Sequence, residues 1–216
     1  TVFSSNGHLQ NWQSIDSTIR HQNHVKGLAP FIDGEAMIAK SKNMLPIMVK
    51  GILPQRQQAV ANMDDKFIQG QFKDLVPGEY GILLGAELAW QLSVNVGDKI
   101  TLVTPQVTLS PMGLMPRYKR MVVKGIFHVG SGFGYDANLA FVHMNDAEKL
   151  YGLPSGEVTG LRLKVDDLYQ GYSVKNVLHD RLGRTYRIRA CTLDYGTFFT
   201  VIRMEKTMMI LVMMLI

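Results

Sequence analysis

The chain has 216 residues, 46% hydrophobic and 19% charged, which excludes a disordered tail and allows one domain or two smaller ones. Its single cysteine, Cys191, cannot form an internal disulfide, so a disulfide-stapled fold is excluded while the compartment stays open. Lys plus Arg number 23 against 18 Asp plus Glu, and the whole excess of +5 arises between Lys99 and Tyr135, where Lys99, Arg117, Lys119, Arg120 and Lys124 meet no acid.

In chain order, residues 1–5 alternate weakly as a strand, and residues 12–22 read as a short helix with Trp12, Ile15 and Ile19 on one face. Residues 25–32 and 34–39 are expected to form two strands meeting at Asp33-Gly34, a dipeptide that favours a hairpin turn. Residues 46–53 follow as a strand ended by Pro54. From Gln55 the texture changes. A polar helical stretch containing Phe67 and Ile68 precedes the turn Pro77-Gly78-Glu79-Tyr80, which enters a buried strand over 81–85. A short helix over 86–92 and the turn Asn95-Val96-Gly97-Asp98 lead to a strand over 99–104. Residues 118–129 form its return strand, with Met121, Val123 and Ile126 toward a core. A strand over 138–144 and a helix over 145–151 with an Asn cap come next. Residues 158–165 alternate as a strand, 168–182 have helical spacing, 186–193 alternate again, and a helix starts near Thr197. This order predicts an α+β fold. Residues 1–54 and 154–200 share one α+β core, and a β-rich part of small-barrel type, 55–153, is inserted into it.

Between the strands at 99–104 and 118–129 lies an apolar loop, Val107-Thr108-Leu109-Ser110-Pro111-Met112-Gly113-Leu114-Met115-Pro116, running into Arg117-Tyr118-Lys119-Arg120. Pro105, Pro111 and Pro116 fix φ and remove backbone donors, which stiffens the segment and keeps it out of a central sheet position. Loops of this length are usually functional or disordered, and the prolines argue against disorder. An apolar loop can also fold back onto a local core. The surrounding positive field favours the other reading, a protruding hairpin that meets an acidic partner surface. Only Tyr118 is interleaved with the basic residues, so the stacking platform of a nucleic-acid binder is missing and no nucleic-acid partner is expected.

No catalytic constellation assembles. His21 and His24 stand three apart with no cysteine or tight carboxylate set beside them, and His128 reads as a satisfied surface group. Gly130-Ser131-Gly132-Phe133-Gly134 resembles a phosphate loop superficially, but the chain contains no Gly-Lys dipeptide, and the glycines read as a tight turn. Asp64-Asp65 and Asp166-Asp167 read as caps or turns. A non-catalytic chain without a metal or cofactor of its own is therefore expected. After Arg203, Glu205 and Lys206 the chain ends in nine uninterrupted apolar residues, 208–216. Nine do not span a bilayer, which takes about 20. Together with a start at Thr1, this reads as a segment cut from between two membrane helices, with 201–216 the start of the second.

An apolar Met-Pro loop in a β-rich insert, framed by an α+β shell that runs into a membrane helix, resembles the LolC/LolF family of bacterial lipoprotein-releasing ABC transporters. The residues that carry the resemblance are Leu75-Val76-Pro77-Gly78-Glu79-Tyr80, the stretch from Leu84-Gly85 to Gly97-Asp98, Ser110-Pro111-Met112-Gly113 with Pro116, Val158-Thr159-Gly160-Leu161-Arg162-Leu163, and Val201-Ile202-Arg203-Met204-Glu205-Lys206. The strand-helix-Gly-Asp pattern is shared with MacB-type transporters, and the Pro-Met-Gly loop is the discriminating part. The resemblance implies a MacB-like periplasmic domain with a Porter part (1–54 and 154–200), a Sabre part (55–153) and a Hook hairpin at 105–118. It implies an inner-membrane subunit with this segment on the periplasmic side. The implied partners are the ATPase LolD, which holds ATP and Mg, then LolE or a second identical subunit, the chaperone LolA, and outer-membrane lipoproteins. Hook residues would be Leu109, Ser110, Pro111, Met112, Gly113, Leu114, Met115 and Pro116. A Pad beside them would comprise Thr101, Arg117, Tyr118, Lys119 and Arg120. Thr101 stands where related proteins carry an arginine, a charge that Arg117 and Arg120 can supply. The alternative is a MacB/FtsX-like periplasmic domain that couples ATP hydrolysis to an efflux or hydrolase partner.

Overall fold

A computed structural model describes residues 1–4, 7–20, 24–61, 63–110, 113–130, 134–166, 171–182 and 186–189, with Met204, Glu205, Met208, Met209 and Met213; for Arg20, 107–110, 113–115, 171–173 and 180–182 only the backbone is described. The elements in order are β1 (Val2–Ser4), α1 (Trp12–Arg20), β2 (Val25–Lys40), β3 (Asn43–Ile52), α2 (Pro54–Val60), β4 (Phe67–Gln69), β5 (Gly81–Gly85), α3 (Ala86–Leu92), β6 (Lys99–Ser110), β7 (Gly113–Phe127), α4 (Tyr135–Asn138), β8 (Leu139–His143), α5 (Met144–Tyr151), β9 (Gly160–Val165), α6 (Gly171–Leu182) and β10 (Tyr186–Ile188). The mixed α+β character expected from the sequence is present.

The 16-residue strand β2 belongs to two layers. Its first half, Val25 to Phe31, pairs with β9, and β1 links β9 to β10, giving a small antiparallel sheet. The buried faces of α1 (Trp12, Ile15, Ile19) and α6 (Val174, Leu178) join the core with this sheet. The second half of β2 pairs with β3 along one edge and with β6 along the other. Pairing then continues from β3 to β8, β5, β7 and back to β6. Those six strands close a ring. Closure satisfies backbone groups that an open sheet would leave on its edges.

Inside the ring sit Ala36, Ile38, Ile47, Val49, Ile82, Leu84, Ile100, Leu102, Met121, Val123, Ala140 and Val142, joined by Leu88 and Leu92 of α3 and Ala147 and Leu150 of α5. A second cluster lies against the outside of β3, β5, β7 and β8, where Phe72 meets Phe141 edge-on at 5.3 Å and Phe67 meets Phe72 at 5.0 Å. β5 and β8 are thus buried on both faces, the reason Gly81–Gly85 and Leu139–His143 read as continuous apolar runs. The ring takes in β2 and β3, which the sequence reading grouped with the α+β part.

Three local expectations are corrected. Asp33-Gly34 is not a turn: both residues lie inside β2, opposite Lys50 and Val49, and the chain reverses at Ser41-Lys42. Glycine is needed at 34 because a Cβ there would stand 2.2 Å from Cζ of the Tyr151 ring, so packing explains the residue. Phe67 and Ile68 lie in a strand, β4, paired with β7, because Phe67 packs on Phe72 and Phe127. Helix α5 is capped by His143, whose Nδ1 accepts the Asn145 N–H at 3.2 Å, in place of the expected asparagine. Residues 190–203 lie outside the described residues, and with them Cys191 and most of the expected C-terminal helix. Among the described residues no helix is long and apolar enough to cross a membrane.

Candidate partner-binding hairpin

β6 leaves the ring after Val103, its last residue paired with β2, and continues to Ser110 against β7 alone. The register is Thr101↔Arg120, Leu102↔Lys119, Val103↔Tyr118 and Thr104↔Arg117, then jumps to Val107↔Pro116, Thr108↔Met115, Leu109↔Leu114 and Ser110↔Gly113. Pro105 and Gln106 bulge from the ladder at the jump. A proline there removes a donor the ladder does not use, and the bulge bends the hairpin at its root. Of the expected Hook, Leu109, Ser110, Gly113, Leu114, Met115 and Pro116 are therefore strand residues; Pro116 is exposed, Pro111 and Met112 lie outside the described residues, and the side chains of 107–110 and 113–115 are likewise not described.

At the root, alternation divides the expected Pad residues between two faces. Arg117 and Lys119 share parity with Met121 and Val123, which fill the ring, so their stems leave along the core side. Lys119 Nζ sits 3.7 Å above the centre of the Tyr80 ring, and Lys149 Nζ lies 6.0 Å from it. The ring face attracts both ammonium groups. Arg117 lies against Gly152, where a Cβ would come 2.3 Å from Nη1. Gly152 is the left-handed cap of α5 (φ 67°), so the guanidinium stands at the negative end of that helix. Tyr118 and Arg120 point outward, and Tyr118 is 69% exposed. Thr101 is directly opposite Arg120, its cross-strand neighbour.

Two shallow clefts flank this strand. One of about 350 Å³ is lined by Tyr80, Pro116, Arg117, Tyr118, Lys119, Lys149 and Leu150. The other, about 450 Å³, is lined by Thr101, Tyr118, Lys119 and Arg120. The basic cluster is partly compensated, since Lys124 Nζ pairs with Glu79 at 3.0 Å.

Sequence reasoning missed the residues that hold this root. Asp146, buried at the start of α5, accepts the N–H groups of Gly78 (2.9 Å) and Tyr80 (3.2 Å). It fixes a turn in which Tyr80 adopts φ 51°, unfavourable for a bulky residue. Tyr80 in turn seats Lys119. The available signal was the Pro77-Gly78 turn; Asp146 is 66 residues from Tyr80, beyond any local pattern.

The other singled-out groups have structural partners. His128 Nδ1 lies 2.9 Å from buried Asp136, which also accepts the N–H groups of Val129 (2.8 Å) and Gly130 (2.9 Å); residues 131–133 lie outside the described residues. His24 Nδ1 lies 3.2 Å from Asp166, while His21 is outside the described residues. Burial pushes the Tyr151 phenol above its ordinary value, and its O–H donates to the Glu35 carbonyl at 3.3 Å. The Asn95 N–H, at 3.1 Å from Asp98 Oδ2, is the main cause holding that carboxyl below its ordinary range. Among the described residues no three His, Cys, Asp or Glu side chains gather as a metal set.

No protein-family model matches the sequence. The chain is 35% identical over all 216 residues to the lipoprotein-releasing system transmembrane protein LolC of Xylella fastidiosa strain Temecula1, covering 51% of that protein. It is 32% identical over 206 residues (95% of the chain, 49% of the relative) to LolC of Neisseria meningitidis serogroup B. It is 24% identical over 209 residues (96% and 49%) to LolE of Haemophilus influenzae. The chain thus spans about half the length of the relatives it matches. Among solved structures, the extracellular domain of the noncanonic ABC-type transporter YknZ from Gram-positive bacteria has a TM-score of 0.57 at 11% identity, covering 87% of this chain and 97% of that one. The periplasmic region of MacB from Actinobacillus actinomycetemcomitans also has a TM-score of 0.57, at 14% identity, covering 91% and 90%. The chain is therefore similar, over 95–100% of its own length, to about half the length of LolC proteins of the lipoprotein-releasing system, and its fold is that of MacB-like periplasmic domains of ABC transporters.

Proposed function

We propose that this chain is the periplasmic part of a LolC-type subunit of an inner-membrane ABC transporter, and that its β6–β7 hairpin recruits the chaperone LolA so that extracted lipoproteins pass toward the outer membrane. The subunit itself is non-catalytic; LolD supplies ATP hydrolysis, and LolE or a second identical subunit completes the membrane pair. The observation that carries the reading is the ladder past Val103: a proline-pinned hairpin of apolar sequence leaves the ring beside Tyr118, Lys119 and Arg120.

Burying a Leu or Met side chain contributes about 1.5–3 kcal/mol. A micromolar complex needs about 8 kcal/mol net of the cost of association. Three or four tip side chains with a few polar contacts at the root reach that range while leaving the complex reversible, as a relay between transporter and chaperone requires.

The test is retention of purified LolA by the immobilised chain. Met112→Arg, or replacement of residues 109–114 by an Asn-Gly turn, is expected to abolish retention with an unchanged thermal unfolding midpoint. A folded Met112→Arg variant that holds LolA like the parent refutes the reading. Failure of the unmodified chain to hold LolA favours the MacB/FtsX-like alternative.

A further inference from the structure

The small sheet β10-β1-β9-β2 has two unlike faces. Directly paired residues project to the same side, so Val2, Ile188, Leu161 and Leu163 turn together toward the core shared with α1 and α6. By the same register and alternation, Phe3, Arg187, Arg162 and Lys164 project from the opposite side. Arg189 stands two positions after Arg187, and its N–H extends the ladder by donating to the Thr1 carbonyl at 2.8 Å. Helix α2 crosses this side at β2, where a Cβ on Gly27 would stand 2.5 Å from the Ala59 carbonyl oxygen. Arg162, Lys164, Arg187 and Arg189 are all exposed. The acids on the same side already have partners: Asp33 pairs with Lys50 at 3.3 Å, and Asp166 lies 3.2 Å from His24. Among the described residues no ion pair engages the four cations. Counting along the sequence puts the basic excess between Lys99 and Tyr135, whereas folding gathers a second basic set here from two separate strands.

We infer that this open sheet face lies against an anionic lipid surface, with its four cations on headgroup phosphates. The inference rests on the membrane-subunit reading proposed above. Two features select lipid over a folded acidic partner. The cations are spread over about 10 Å across the strands and about 14 Å along them, and Gly160 at the middle of the face carries no side chain. Neither cleft at the hairpin root is lined by any of the four. Level, diffuse charge matches a plane of mobile headgroups that move to meet each cation, whereas a folded partner needs a complementary packed core. The second feature is Phe3, half-buried beside Arg187 and edge-on to Phe31 with ring centres 5.8 Å apart. An aromatic ring set among cations is the composition of surfaces that rest in the headgroup layer. At physiological salt the field decays within about 8 Å, so the cations act only when the face is laid on the bilayer. Each then strengthens attachment about fivefold.

The test is flotation of the chain with vesicles of phosphatidylcholine, with and without about one third phosphatidylglycerol, at about 0.1 M salt. The chain is expected to float with the anionic vesicles alone. Arg162→Gln, Lys164→Gln, Arg187→Gln and Arg189→Gln combined are expected to weaken attachment at least about tenfold. An equal loss of charge from exposed lysines elsewhere, Lys42→Gln, Lys66→Gln, Lys73→Gln and Lys99→Gln, is expected to leave it within about twofold. Both variants are expected to keep the parent unfolding midpoint and LolA retention. Should the sheet-face variant unfold, the pair Arg162→Gln with Lys164→Gln gives the same reading as a loss of at least about threefold. Equal losses from the two sets overturn the inference, because net charge alone then drives attachment. No attachment by the parent overturns it as well, and LolA retention in the same preparation leaves the proposed function standing. Vesicle attachment through the four cations without LolA retention supports the lipid contact and removes the recruitment. Salt-sensitive self-association that the sheet-face variant disperses, with no vesicle attachment, overturns the inference in favour of an acidic protein surface.

Discussion

Asp146→Ala tests whether the hairpin root is held from the ring core. The carboxylate is 1% exposed and takes two N–H groups, Gly78 at 2.9 Å and Tyr80 at 3.2 Å. Hydrogen bonds to a charged group contribute about 1.5–3 kcal/mol each. Gly78 is exposed, so its N–H regains water in the variant and its bond counts at the low end. Releasing Tyr80 from φ 51° returns about 1 kcal/mol. The expected net loss is about 2–3 kcal/mol. With a urea slope of about 2–3 kcal/mol/M, the midpoint falls by about 1 M. Buried Trp12 reports unfolding by fluorescence. A second readout follows from Lys119, which loses its seat on the Tyr80 ring: under the function proposed above, the variant, folded in the absence of urea, is expected to retain LolA more weakly than the parent. A midpoint shift under about 0.3 M would show that the Pro77–Tyr80 turn holds itself, and the reasoning would fail.

Gly34→Ala places a methyl on the Tyr151 ring and is expected to cost about 1–3 kcal/mol, but close to nothing in a Tyr151→Ala background; equal costs in both, measured as a double-mutant cycle, refute packing as the reason for this glycine. His143 gives an acid sensitivity: burial holds its folded pKa below the ordinary 6.5, outweighing the opposite pull of Asp146 and Glu148. The folded state then binds fewer protons than the unfolded one, so the contribution is complete above about pH 6.5 and is lost as pH falls through 6.5 toward the folded value. His143→Asn keeps a cap acceptor and removes that slope; urea midpoints from about pH 8 to about pH 5 that still fall equally in the variant exclude His143 as the cause.

Elements whose signal is local were legible in the chain itself. Alternation and uninterrupted apolar runs mark β5, β8 and β9, and the spacing of Trp12, Ile15 and Ile19 marks α1, because side-chain period follows directly from backbone geometry. The proline-pinned loop and the acid-free stretch around it also need no coordinates. Glycine at 34 shows where such reasoning stops: a packing glycine and a turn glycine look identical in sequence, and only the Tyr151 ring, 117 positions away, separates them. The same holds for Asp146 under Tyr80, for Arg120 opposite Thr101, and above all for the ring, since β2, β3 and β6 become neighbours through pairings whose register no local pattern sets. Closure alone decides which side of Met37, Met44 and Met48 is inside. The sequence supplies the methionines; the long-range hydrogen-bond ladder turns them outward.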